Sequence, residues 1–119
     1  MVTHAYIHVP FCRSICAYCD FFRNGYVDAL QDRWLQEIIK DIQVKEFHSI
    51  ETLYVGGGTP TCIGDEQFEL LLKALTAQKQ QFEEFTIEAN VESFTSTKMD
   101  LCVKYGVNRI SLGVQSRCV

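Results

Sequence analysis

The feature that most restricts the fold of this chain is a regular alternation. Short apolar runs are each followed by a longer amphipathic segment. The short runs are "AYIHV" (5–9), "TLYV" (52–55), "FTIEA" (85–89) and "NRISLGV" (108–114). Their length and β-branched content predict strands. Between the first two lies "VDALQDRWLQEIIKDIQV" (27–44), with Leu30, Trp34, Leu35, Ile38, Ile39 and Ile42 at helical spacing. "DEQFELLLKALTAQ" (65–78) places Phe68, Leu71, Leu72 and Leu75 on one helical face, with Asp65 as its expected N-cap. "TSTKMDLCVKYG" (95–106) opens on a capping Thr95 and closes on Gly106, a residue suited to the left-handed turn after a helix.

The predicted order is β1-α1-β2-α2-β3-α3-β4, an α/β fold. Strands joined through helices form right-handed crossovers and a parallel sheet, open or closed into a barrel. In both forms ligands bind at the C-terminal ends of the strands. The chemically unusual residues fall at those ends: a cysteine loop after the first strand, a glycine loop after the second, Glu88 on the third and Gln115 after the fourth. This coincidence is the main argument for a single site.

Composition excludes several alternatives. The net charge of −4 comes from interspersed acids and bases, with no Lys/Arg run to form a nucleic-acid face. No apolar stretch approaches the roughly 18 residues of a membrane span. The N-terminus has neither the basic nor the long apolar segment of a signal peptide, so a cytoplasmic location is expected. The 119 residues suit one domain, 1–119.

The cysteine loop, "PFCRSICAYC", carries Cys12, Cys16 and Cys19. A closed structural zinc site needs a fourth ligand. His4 and His8 would have to fold back past Pro10 to supply it, and Cys62 stands alone. A disulfide leaves one cysteine over and needs an oxidising compartment. A [4Fe-4S] cluster fits the spacing better: three thiolates leave one iron open to an outside ligand such as the amino and carboxylate groups of S-adenosylmethionine (SAM).

The remaining candidates have plain readings as well. "GGGTP" (56–60) lacks the lysine of a phosphate loop; it is a tight turn or a place of close backbone approach to a ligand. Tyr6 could be an ordinary strand aromatic. Glu88 in the apolar strand "FTIEA" is costly to bury without partners, so it is expected to face a site. Arg109 is either a solvated strand end or the partner of a carboxylate. Cys62, Cys102 and Cys118 read as small apolar residues, with Cys102 on the Met99–Cys102–Val103 face of its helix. Trp34 belongs to the core. His4, His8 and His48 have no evident ligand geometry.

The motif "CRSICAYC" resembles the CxxxCxxC signature of radical SAM enzymes. Together with "AYIHVPFCRSICAYCDFF", "ETLYVGGGTPT", "FTIEAN" and "YGVNRISLGVQS", it makes nearly the whole chain, Ala5 to Ser116, similar to the oxygen-independent coproporphyrinogen III oxidase family. The resemblance is strongest to a haem-chaperone branch of that family. The chain begins just before its first strand, and Cys19 is followed by Asp20-Phe21 where the oxidase has a further Gly-Cys pair. The resemblance implies that Cys12, Cys16 and Cys19 hold a [4Fe-4S] cluster. It implies that Tyr6, Tyr18, Gly57, Gly58, Thr59, Glu88 and Gln115 bind SAM, Gln115 matching a glutamine that the oxidase uses for a second SAM molecule. It further implies haem or a porphyrinogen as partner and a reduced electron donor. The expected role is haem chaperone; the alternatives are oxidative decarboxylation to protoporphyrinogen, or an inactive fragment.

The same resemblance implies a partial (β/α)6 barrel, of which this chain supplies the N-terminal half, a truncated radical SAM core domain. A complete (β/α)8 barrel takes roughly 250 residues. A half barrel would leave its interior face open and its fourth strand as an unpaired apolar edge, so marginal stability and self-association are expected.

Overall fold

The computed structural model describes residues 3–11 and 26–113, apart from the side chains of residues 26–28. The elements are β1 (His4–Val9), α1 (Tyr26–Val44), β2 (Thr52–Gly57), α2 (Asp65–Thr76), β3 (Glu84–Asn90), α3 (Ser96–Lys104) and β4 (Arg109–Gly113). Single 3-10 turns at Phe47–Ser49 and Pro60–Cys62 flank β2. The four strands form one sheet in the order β1-β2-β3-β4, and every pair is parallel. This is the expected α/β architecture.

Strand register explains the core. Ile7 lies beside Val55, Val55 beside Ile87, and Ile87 beside Ile110, so each strand places one β-branched residue at a common level. Ile7, Val55 and Ile87 are buried, together with Val9, Leu53 and Phe85 on the same sheet face. Against them pack Leu35 and Ile42 of α1, Phe68, Leu71, Leu72 and Leu75 of α2, and Cys102 of α3. All three helices therefore cover one face. A fully buried Leu or Phe contributes on the order of 1.5–3 kcal/mol, so this layer dominates stability. Trp34 is partly buried in the core, edge-on to Phe11 with ring centroids 5.9 Å apart.

Helix ends mostly follow the sequence. The Thr95 side chain accepts from Lys98 N at 3.3 Å, as an N-cap should. Gly106 has φ +84°, Gly106 N donates to Val103 O and Val107 N donates to Cys102 O, which completes a Schellman motif.

Three expectations need correction. Asp65 is the first residue of α2 rather than its N-cap, which is Gly64. Its carboxylate instead meets the ammonium of Lys98 on α3 at 2.7 Å. On α1, Leu30 is 39% exposed while Gln31 is buried. The apolar stripe gives way there because the Gly64 amide at the start of α2 needs an acceptor, and Gln31 Oε1 supplies it at 3.1 Å. Cys102 is buried as expected, but Met99 and Val103 are exposed; Lys98 shares its inward face. The Lys98 stem covers apolar surface while its head reaches Asp65.

Candidate functional site

Side chains alternate along a strand, so burying one face of this sheet leaves the other for chemistry. On that second face β1 carries His4, Tyr6 and His8, β2 carries Tyr54, β3 carries Glu88 and β4 carries Ser111. Tyr6 is 56% exposed, and Tyr54 and Glu88 are half-buried. Lower on the same face Arg109 pairs with Glu84, which resolves Arg109 as a carboxylate partner.

Glu88 is the centre of the cluster. Tyr54 Oη donates to Glu88 Oε2 at 2.6 Å, and Gly57 N donates to Oε1 at 3.1 Å. The Tyr54 ring in turn stacks on Tyr6, with centroids 5.7 Å apart and planes 14° from parallel. The Tyr54 phenol is pushed above its ordinary range, first by its bond to the Glu88 carboxylate, then by burial. Each carboxylate oxygen has accepted one bond and retains a lone pair for a ligand donor.

Two glycines shape the space around that carboxylate. A Cβ on Gly56 would lie 2.7 Å from Glu88 Oε1 and 2.9 Å from Tyr54 Cε1. Gly57 has φ +112°, and a Cβ there would lie 2.6 Å from Val9 O. The strand therefore runs through the first two glycines of "GGGTP", two residues beyond the expected end of β2 at Val55. Beyond it, Gly58 N donates to Val9 O at 2.8 Å and Thr59 N to Phe11 O at 2.6 Å. The glycine loop is thus lashed to the residues immediately before Cys12. The amides of Gly57, Gly58 and Thr59 are all used inside the fold, so none of these three is left to bind an anion. A cationic ammonium, which seeks acceptors, suits it better.

Among the sequence-expected site residues, the structure brings Gly57 against Glu88, joins Tyr6 to Glu88 through Tyr54, and seats Gly58 and Thr59 beside the end of β1. Cys12, Cys16, Cys19, Tyr18 and Gln115 lie outside the described residues, as does Cys118. Among the described residues no group of His, Cys, Asp and Glu is arranged to hold a metal. Burial pushes the Cys102 thiol up to about 11, which suits its packing role.

Sequence reasoning missed Tyr54. The signal was available: Tyr54 stands two residues before Gly56, so it shares a face with the glycine turn, and strand pairing sets it beside Tyr6. Further round the same end of the sheet, the Thr61 and Ser93 hydroxyls bond at 2.6 Å and tie the β2–α2 loop to the β3–α3 loop. At the opposite end, a cleft of about 600 Å3 opens between β1 and the second half of α1. Ala5, Ile7, Ile38, Ile42 and Phe47 line it, and among the described expected site residues only Tyr6 borders it.

Comparison with known proteins converges on one family. The model of the radical SAM superfamily matches residues 6–117. A heme chaperone HemW of Lactococcus lactis subsp. lactis is 40% identical over 114 residues, and that of Bacillus subtilis is 36% identical over 123 residues. The alignments cover 94% of this chain but only 30% and 31% of those relatives. An anaerobilin synthase of Escherichia coli O157:H7 is 29% identical over 122 residues, covering 93% of this chain and 27% of the relative. This chain therefore spans about 30% of the length of these relatives. No solved structure gives a significant match.

Proposed function

Because this chain belongs to the radical SAM superfamily, we propose that it is a haem-chaperone-like protein holding a [4Fe-4S] cluster and SAM at the C-terminal end of its sheet. The observation that carries this reading is the extent of the family match. Residues 6–117 include the cysteine loop, the glycine loop and Glu88 in one stretch. Similarity to two proteins named heme chaperone HemW supports the haem assignment over other radical SAM functions. Haem as cargo, a reduced electron donor and a cytoplasmic location belong to the same proposal.

The geometry supports SAM at the open face. SAM carries an ammonium, a sulfonium and a ribose diol, all of which favour an anionic acceptor. Glu88 is such an acceptor, held by two donors with lone pairs to spare. Gly56, having no side chain, lets the Glu88 carboxylate and the Tyr54 ring close over its backbone. Tyr6 presents an exposed aromatic surface beside it. Cys12, Cys16 and Cys19 would hold the cluster, which when bound supplies the electron that splits the sulfonium. The short bonds from Gly58 and Thr59 to Val9 and Phe11 would fix the start of the cysteine loop against the SAM site. Tyr18 and Gln115 would complete the SAM contacts.

The test is anaerobic reconstitution of the chain with iron and sulfide, followed by metal analysis and EPR of the reduced protein. The expected result is about four irons per chain and a spectrum that SAM perturbs. Binding of zinc with no iron, or a cluster indifferent to SAM, overturns the proposal. Haem binding is read separately from the Soret band during titration with haem.

A further inference from the structure

We infer that Tyr54 is the positioning residue of this site, its hydroxyl fixing the Glu88 carboxylate and its ring fixing Tyr6. The inference rests on the reading of the open sheet face as a SAM site, and adds to it a residue with no assigned role.

Three observations carry it. The Tyr54–Glu88 bond, at 2.6 Å, joins β2 to β3 through side chains, and a neutral hydroxyl bonded to a carboxylate is stronger than a neutral pair. Gly57 N holds the other oxygen, so the carboxylate is gripped at both ends and cannot rotate without breaking a bond. The same Tyr54 ring stacks on Tyr6 of β1, 14° from parallel, so one side chain spans the gap between the two proposed ligand contacts. A carboxylate held in place before the ligand arrives avoids losing side-chain freedom on binding. Tyr54 is only half-buried, and the aliphatic core lies on the opposite face of its strand. Removing the hydroxyl should therefore leave the fold intact.

The experiment measures SAM binding by anaerobic equilibrium dialysis of the reconstituted chain. It compares the parent with Tyr54→Phe, Tyr54→Leu, Glu88→Gln and the Tyr54→Phe/Glu88→Gln pair. Tyr54→Phe keeps the stack and loses the anchor, and should raise the dissociation constant about tenfold. Tyr54→Leu loses both and should raise it further. In the Glu88→Gln background Tyr54→Phe should have little added effect, because both act through one contact. Ligand-free ultraviolet titration gives a second readout: the Tyr54 phenol should ionise at lower pH in Glu88→Gln than in the parent.

An unchanged affinity in Tyr54→Phe, or a fully additive loss in the pair, overturns the inference and leaves the SAM site standing. Absence of SAM binding by the parent overturns the functional reading and this inference with it. Should Tyr54→Phe lose its native circular dichroism, the phenol titration decides, and no difference between parent and Glu88→Gln sinks the idea.

Discussion

Gly57 and Val9 approach so closely that no side chain fits between them: a Cβ on Gly57 would lie 2.6 Å from Val9 O and 2.8 Å from Val9 N. The φ of +112° at Gly57 is itself strained for any residue with a side chain. The clash is with the backbone of Val9, a fully buried residue, rather than with a side chain that can swing aside. Gly57→Ala should therefore cost about 2–4 kcal/mol in urea unfolding. A loss within error of zero would show that the loop relaxes freely.

Gly56 makes the contrasting case. Its missing Cβ would meet side-chain atoms of Glu88 and Tyr54 rather than backbone, and these yield by loosening the bonds that hold the carboxylate. Gly56→Ala should cost only about 1 kcal/mol of stability, within the ordinary range for overpacking. It should nonetheless displace the carboxylate and weaken SAM binding. Parallel unfolding and binding measurements separate the two effects, and equal damage to both would refute the distinction.

The raised phenol of Tyr54 makes a statement about pH. Ionisation breaks its donation to Glu88 and sets two anions side by side, so the folded protein resists it more than the unfolded chain does, whose value is near 10.0. The bond's contribution to stability is complete below that value and is lost as pH rises through the higher folded value. The stability gap between the parent and Tyr54→Phe should stay constant from pH 7 to about pH 9 and shrink above pH 10. Denaturant midpoints of both proteins across that range provide the check.

Cys102 should be the slowest cysteine to label among those of ordinary reactivity. With its thiol pushed up to about 11 and its side chain enclosed by the helix layer, almost none is thiolate at pH 8. Peptide mapping after iodoacetamide treatment should find Cys102 unmodified in buffer and modified in urea. Rapid labelling in buffer would mean that α3 opens far more readily than its packing indicates.

Lys98 and Asp65 link α3 to α2 through an ammonium whose side chain is 8% exposed and a carboxylate that is 54% exposed. Asp65→Ala strands a buried charge and should cost about 1–3 kcal/mol. Lys98→Met keeps the apolar stem without the charge and should cost less. Equal losses in guanidinium unfolding would contradict this asymmetry.

Much of this architecture was legible in the sequence because period and punctuation are local. The repeats of Phe68, Leu71, Leu72 and Leu75 on α2, and the Thr95 and Gly106 ends of α3, depend on residues within a turn or two. What misled was also local pattern: Leu30 and Met99 sit at helical spacing, yet face outwards. Their neighbours Gln31 and Lys98 turn inwards because they meet Gly64 and Asp65, partners 33 residues away.

The candidate site divides in the same way. Sequence alone determined that the unusual residues fall at strand ends, that Glu88 is a carboxylate in an apolar strand needing partners, and that Cys12, Cys16 and Cys19 stand in a CxxxCxxC spacing. These follow from residue type and spacing, which the chain carries before it folds. Only the tertiary structure decided what meets Glu88. Parallel pairing brings β1, β2 and β3 side by side and sets Tyr54 between Tyr6 and Glu88. It also turns the glycines of "GGGTP" into a close contact with Val9 and Glu88. Those contacts join residues more than thirty positions apart, and only the packing of helices on one sheet face fixes which side chains are left to meet on the other.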